Sequence, residues 1–316
     1  MDKYITIIET NENPASTRGY SLALGYLPKK LLVPSPTVLD SVMICLCKKA
    51  HFNSKVGGEK DAGTRRNALI ALRRASQTVG TTYSPNADND VKGAAKAASL
   101  NPSQVAQVFD AFLLGLRDYN VDRRGDVGSW CRIEAMRGLE AMTLMTVEEH
   151  SDDLPEYFSK PLCTSVICAL LKQFSEKLDS ARVEAGKCLQ RILCKEPEIP
   201  CILERQKLQE CLGLIFDGSK ARNTEEQDEV DDRRDTNWAD ASLTFPMLAR
   251  VMDIPDYFPA IMAGMVISVG GLTESVAKHS SAALLQWVKD AKGSRRMNAL
   301  AEGRLPFLLS RRCAVE

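Results

Sequence analysis

The densest run of chemically capable residues is a charged turn, Asp118 to Asp126, that leads straight into a helix carrying Trp130 and Arg132. Asp122, Arg123, Arg124, Asp126 and Trp130 are the candidate partner-binding residues, because tryptophan is over-represented at binding hot spots. Structural roles compete for two of them. Asp126 is placed to cap a helix beginning near Val127 by accepting backbone N–H bonds. Trp130 reads more readily as a core anchor between helices than as an exposed contact. The tripeptide Arg124-Gly125-Asp126 spells an adhesion motif, but three residues assign nothing by themselves.

Arrangements for catalysis are missing. Lys55-Val-Gly-Gly-Glu-Lys-Asp-Ala-Gly-Thr64 lacks the lysine–hydroxyl ending of a phosphate loop and reads as a turn before a helix. There is no Gly-x-Ser-x-Gly elbow, no His-Glu-x-x-His and no Gly-x-Gly-x-x-Gly. His279 with Ser280 and Ser281 is read as a lone histidine on a helix surface. The ten cysteines form no Cys-x-x-Cys, and His51, His150 and His279 lie apart from them. A zinc site needs about four closely spaced ligands, so no metal is expected. No catalytic, cofactor-binding or metal-binding residue is assigned, and the chain is read as a non-enzyme.

Composition narrows the class further. Hydrophobic residues make up 44% of 316, enough for a substantial core. Lysine plus arginine and aspartate plus glutamate number 41 each, so the basic excess that phosphate binding usually requires is absent and nucleic acid is not an expected partner. Cys131 and Cys188 fall inside apolar helical patterns, where cysteine behaves as a small hydrophobe. With no signal peptide at the start, a cytoplasmic protein with reduced thiols is expected. The longest uncharged run, Tyr257 to Thr273, is broken by Pro259 and by Gly270-Gly271, and predicts a buried helix rather than a membrane span.

These residues are carried by a repeated unit. A basic residue is followed by a small residue three positions later and by small or apolar residues at six and seven. Arg65 precedes Ala68, Ala71 and Leu72; Arg132 precedes Ala135, Gly138 and Leu139; Arg182 precedes Ala185, Cys188 and Leu189. Weaker copies begin at Arg18 (Ser21, Leu24, Gly25) and Lys278 (Ser281, Leu284, Leu285). Spacings near 50 residues match a two-helix HEAT or armadillo unit of about 40–47 residues. Positions zero, three and seven share one helix face. Small residues there admit a neighbouring helix closely, and the basic residue is expected to lay its stem over the seam with its charge in water. It is also placed to pair with Asp61, Asp126 or Asp179 just upstream. On this reading Arg132→Glu costs stability more than any single contact.

The fold class is therefore all-α, a HEAT/armadillo-like helical-repeat solenoid (an α-α superhelix) over residues 1–288. A loop insertion is expected at about 78–92, an acidic loop at about 218–240, and a poorly patterned tail over 289–316. Met1 to Thr10 reads as half a repeat. Neither end supplies a clear capping unit, so the chain is expected to be part of a longer array or a truncated product.

Three stretches carry a family resemblance. Asp118-Tyr-Asn-Val-Asp-Arg-Arg-Gly-Asp-Val-Gly-Ser-Trp-Cys-Arg-Ile-Glu-Ala-Met136 resembles the signature region of the tubulin-folding cofactor D family. Thr17-Arg-Gly-Tyr-Ser-Leu-Ala-Leu-Gly-Tyr-Leu-Pro28 before it and Val266-Ile-Ser-Val-Gly-Gly-Leu-Thr-Glu-Ser-Val276 after it look like the same family in the same order. The resemblance covers roughly residues 17 to 285, a C-terminal portion of a longer protein, and the tail after about Val288 lies outside it. It implies a HEAT-repeat scaffold that binds β-tubulin after release from the cytosolic chaperonin. It further implies work alongside cofactors C and E and an Arf-like small GTPase in building the α/β heterodimer and stimulating GTP hydrolysis by tubulin. A cytoplasmic, microtubule-associated location goes with that. The competing reading is a generic HEAT-repeat adaptor for protein-complex assembly or transport.

Overall fold

Helix starts in this chain are written as a short polar cap, often followed by proline. Asn13 accepts N–H bonds from Ala15 and Ser16 ahead of Pro14's helix, and Ser35 accepts one from Val38 ahead of Pro36's. Asn101 and Gln104 form a reciprocal capping box around Pro102. Proline is harmless in the first helical turn, where its missing N–H has no partner to lose. Asp61 and Asp240 cap their helices through Thr64 N–H and Ser242 N–H.

The computed structural model describes residues 1–10, 13–51, 59–82, 99–214, 236–271 and 273–290. It is all-α and of the HEAT/armadillo-like repeat type, as expected. The helices are α1 (Asp2–Thr10), α2 (Pro14–Leu24), α3 (Lys29–Leu32), α4 (Pro36–Lys49), α5 (Ala62–Val79), α6 (Pro102–Gly115) and α7 (Gly128–Glu149). They continue as α8 (Leu154–Tyr157), α9 (Lys160–Phe174), α10 (Asp179–Leu193), α11 (Arg205–Cys211), α12 (Ala241–Val251), α13 (Phe258–Val269) and α14 (Glu274–Asp290). Between α6 and α7, β1 (Val121–Asp122) and β2 (Gly125–Asp126) form a minimal antiparallel hairpin. The chain divides into two compact units, Met1–Val166 with Ile199–Cys201, and Ile167–Glu198 with Ile202–Glu316.

In the first unit the pairs α1/α2, α4/α5 and α6/α7 pack as helical hairpins. Their second helices stand side by side, α2 on α5 and α5 on α7, while α1, α4, α6 and α8 form the other row. The repeat motif sits on the second helices, and its small and apolar positions are buried in all three strong copies. Close packing explains the small residues. A Cβ on Gly25 would lie 2.4 Å from Ala71 Cα, and one on Gly138 would lie 2.2 Å from the Phe112 ring. Leu24, Leu69, Leu72, Phe112 and Leu139 fill the remaining core, each stabilising the fold by about 1.5–3 kcal/mol. The copy at Arg18 also buries Ser21, Leu24 and Gly25. Met1 to Thr10 is indeed a first helix, packed on α2 and α4.

In the second unit α12 packs on both α13 and α14, and α11 packs on α10 and α12. Gly186 of α10 admits the Trp238 ring, which meets Phe174 edge-on at 5.3 Å. The weak copy at Lys278 is corrected here: Lys278 and Leu285 are exposed, and α14 buries Val276, Ser280, Ala283 and Trp287 instead. The run from Tyr257 gives α13, capped by Gly270, but Val266 and Ile267 are exposed, so only one face of that helix is buried. No helix among the described residues is long and apolar enough to cross a membrane. The α5 helix continues through Thr78 and Val79 before Gly80 turns it at φ 74°. Residues 83–92 of the expected insertion, the acids from Glu225 to Asp235, and the tail after Asp290 lie outside the described residues.

Candidate functional site

The candidate site is the β1–β2 hairpin and the helix start behind it, and buried arginines hold it in place. Arg65, Arg132 and Arg182 each have side chains no more than 1% exposed. This corrects the expectation that their charges stay in water. Each guanidinium turns inward to backbone carbonyls of the chain segment before its own helix. Arg65 Nη1 donates to the Glu59 and Lys60 carbonyls, and Arg182 Nη1 to those of Glu176 and Lys177.

The ion pairs follow the expected upstream aspartates in two cases out of three. Arg132 Nη2 donates to Asp126 at 2.8 Å and Arg182 Nη2 to Asp179 at 2.6 Å. Arg65 instead donates through Nε to Asp118 at 2.7 Å, across to the turn of the following repeat. Asp61 is occupied capping α5 and lies 3.5 Å from Arg18. Burial alone would raise the Asp118 carboxyl. The hydrogen bond and charge of Arg65, with the two N–H groups of Asn120, more than offset it and hold the group below the ordinary carboxylate range. Beside this pair, burial pushes the Cys131 thiol up to about 12, so it serves as packing.

The turn closes on these anchors. Arg132 Nη1 donates to the Asp118 carbonyl at 2.7 Å, and the Tyr119 ring lies 4.2 Å over its guanidinium carbon. A Cβ on Gly128 would fall 2.2 Å from the Asp118 carbonyl oxygen, so only glycine lets α7 start this close to the turn. Gly125, at φ 97°, supplies the left-handed residue the hairpin needs.

Four of the five candidate residues face outward together. Asp122 and Arg124 are exposed and form a bidentate pair, Nη2 to Oδ2 at 2.6 Å, which with the Arg124 N–H lowers the Asp122 carboxyl. Arg123 is exposed at the tip. Trp130 is only half-buried, with the Arg124 guanidinium 5.0 Å over its ring, which corrects the core-anchor reading. Asp126 is set apart: it accepts the Ser129 N–H at 3.0 Å, the expected cap, and pairs with Arg132. Two participants escaped the sequence reading. Asp118 has its partner 53 residues away, which no local spacing signals, and exposed Tyr119 covers the buried arginine. Val121, 72% exposed, adds an apolar tip.

This geometry offers a rigid, arginine- and aromatic-rich knob, with no nucleophile–base pair in it. Comparison with known proteins finds likeness to one family. A sequence model described as "Tubulin folding cofactor D C terminal" matches residues 164–308. Those residues are similar to the C-terminal region of cofactor D. The match runs past Val288, which corrects the expectation that the tail departs from the family. Tubulin-specific chaperone D of Dictyostelium discoideum is 23% identical over 300 residues, 91% of this chain, so the likeness also takes in most of the first unit. The chain spans 19% of the length of that relative. Among solved structures, two engineered proteins align with 91% and 92% of the chain, at 13% and 11% identity and a TM-score of 0.40, a likeness too loose to bear on function.

Proposed function

We propose that this chain acts in tubulin folding as a helical scaffold, binding β-tubulin after the chaperonin step and supporting assembly of the α/β heterodimer. The observation that carries the reading is the cofactor D C-terminal match over residues 164–308, joined to a relative named tubulin-specific chaperone D over most of the chain. Cofactors C and E and an Arf-like small GTPase are the proposed co-workers. GTP hydrolysis is stimulated within that assembly, at a site that belongs to tubulin. The chain then works in the cytoplasm, in contact with the microtubule pool, and carries out no reaction of its own. The exposed Arg123 and Arg124 and the half-buried Trp130 are the proposed contacts, with Asp122 orienting Arg124.

Co-precipitation of β-tubulin from cytosol by the full chain tests this. Capture is expected, and Trp130→Ala is expected to weaken it by about 2 kcal/mol, as for a hot spot. A folded chain that fails to capture β-tubulin while retaining other proteins points to a general adaptor. Nucleotide turnover by the purified chain without tubulin would return the enzyme class.

A further inference from the structure

The charge of this chain balances overall but not locally. Helices α2, α3 and α5 contain seven basic residues (Arg18, Lys29, Lys30, Arg65, Arg66, Arg73, Arg74) and no aspartate or glutamate. Arg65 is buried with Asp118, Lys29 donates to the Val79 carbonyl, and Arg18 lies against Asp61. Arg66, Arg73 and Arg74 collect on one face of α5. Residues 66, 70, 73, 74 and 77 recur at helical spacing on the solvent side of α5, with Asn67 tied to α2 through the Arg18 carbonyl.

Neighbouring helices extend that face in both directions. On the α2 side, exposed Tyr26 lies 4.3 Å beneath the Arg74 guanidinium. On the α7 side, half-buried Trp130 and Ile133 lead to exposed Arg137. Among the acids bordering this face, Asp61 lies against Arg18 and Asp122 pairs with Arg124, while Glu134 is buried and divided between Arg73 at 3.7 Å and Arg137 at 2.9 Å. The Arg66 side chain is exposed and has no hydrogen bond or ion pair among the described residues. Arginines therefore frame a line of apolar and aromatic side chains, all within the first unit.

We infer that this face, formed by α2, α5, the start of α7 and the hairpin, docks an acidic polypeptide segment with spaced apolar side chains. The charge selects the sign of the partner. The line of Tyr26, Ile70, Trp130 and Ile133 selects a chain bearing apolar groups over a bare polyanion. Nucleic acid fits less well, because two of the arginines already share Glu134 and the chain has no net positive charge. The inference rests on the scaffold reading above and narrows it by naming the chemistry of the partner's contact.

Fluorescence anisotropy of the full chain with a labelled peptide repeating Glu-Glu-Leu-Phe tests it directly. Saturable binding is expected, weakening steeply with salt, and at least about tenfold tighter than for the same peptide with glutamine at each glutamate. Arg66→Glu with Arg74→Glu should cost about tenfold in affinity while the melting temperature holds, since both side chains are exposed. Arg66→Gln with Arg74→Gln, a milder change, should lie between. Equal binding of the two peptides, an unchanged affinity in the charge-reversed variant, or tighter binding of an oligothymidylate of equal charge would overturn the inference. β-Tubulin capture that survives the charge reversal would sink this surface and leave the proposed function standing; peptide binding without tubulin capture would do the opposite.

Discussion

At the scale of single residues, the three buried arginines show how far a sequence pattern reaches. The spacing Arg-x-x-small identified Arg65, Arg132 and Arg182 as equivalent, and the structure gives all three the same burial and the same inward hydrogen bonds. Nothing in the spacing showed that the guanidinium would be dry, because its acceptors are carbonyls that any residue type supplies. Nor did it mark Asp118 as the partner of Arg65, since that pair closes over 53 residues. The pair has a testable signature. A carboxyl held below its ordinary range contributes stability above the unfolded value near pH 4, and loses that contribution as pH falls through the lower folded value. Asp118→Asn leaves Arg65 buried without its counter-charge and should cost about 3–5 kcal/mol at neutral pH. Its stability should also fall less steeply than the wild type's below about pH 4. Urea midpoints across that range measure both; parallel curves would mean the carboxylate contributes nothing through its charge.

At the scale of elements, periodicity and the Asp126 cap were legible and burial was less so. In the structure a polar cap ahead of proline begins α2, α4 and α6, and the small-residue positions of the repeat mark the faces that touch. Trp130 was misjudged because an aromatic at a helix start faces the core or the solvent according to the preceding turn, and here Arg124 folds back over it. The Lys278 copy failed because one basic residue and two leucines do not fix a helix's phase. Two glycines six positions apart, one within α2 and one at its C-terminal cap, test its packing account. Gly19 has nothing within 4 Å of an added Cβ, whereas Gly25 meets Ala71 backbone at 2.4 Å. Gly19→Ala should therefore stabilise by about 0.5–1 kcal/mol, through helix propensity alone. Gly25→Ala should destabilise by roughly 1–3 kcal/mol, because the neighbouring helix backbone has to move. Thermal melts of the two variants on either side of the wild type would bear this out, and shifts of the same sign would not.

At the scale of the whole molecule, the fold class could be read from repetition because every repeat solves the same burial problem with the same residue types. The division into two units could not, since the motif recurs on both sides of it, at Arg132 and at Arg182. Repetition also governs how damage spreads. Each helical hairpin in such a fold touches mainly the hairpins next to it, so stability is close to a sum of local and nearest-neighbour contributions. Arg132→Glu places a carboxylate against Asp126 and the Asp118 carbonyl, in a site sealed by Tyr119. Its cost should fall on the junctions that Arg132 joins, those of α5, α6 and α7. Hydrogen exchange followed by mass spectrometry should show amides of α5 and α7 losing protection by tenfold or more, about 1.4 kcal/mol of local opening. Amides of α12 and α14 should keep theirs. Loss of protection spread evenly over both units would mean that the chain unfolds as one cooperative body, and that the nearest-neighbour account of its stability is wrong.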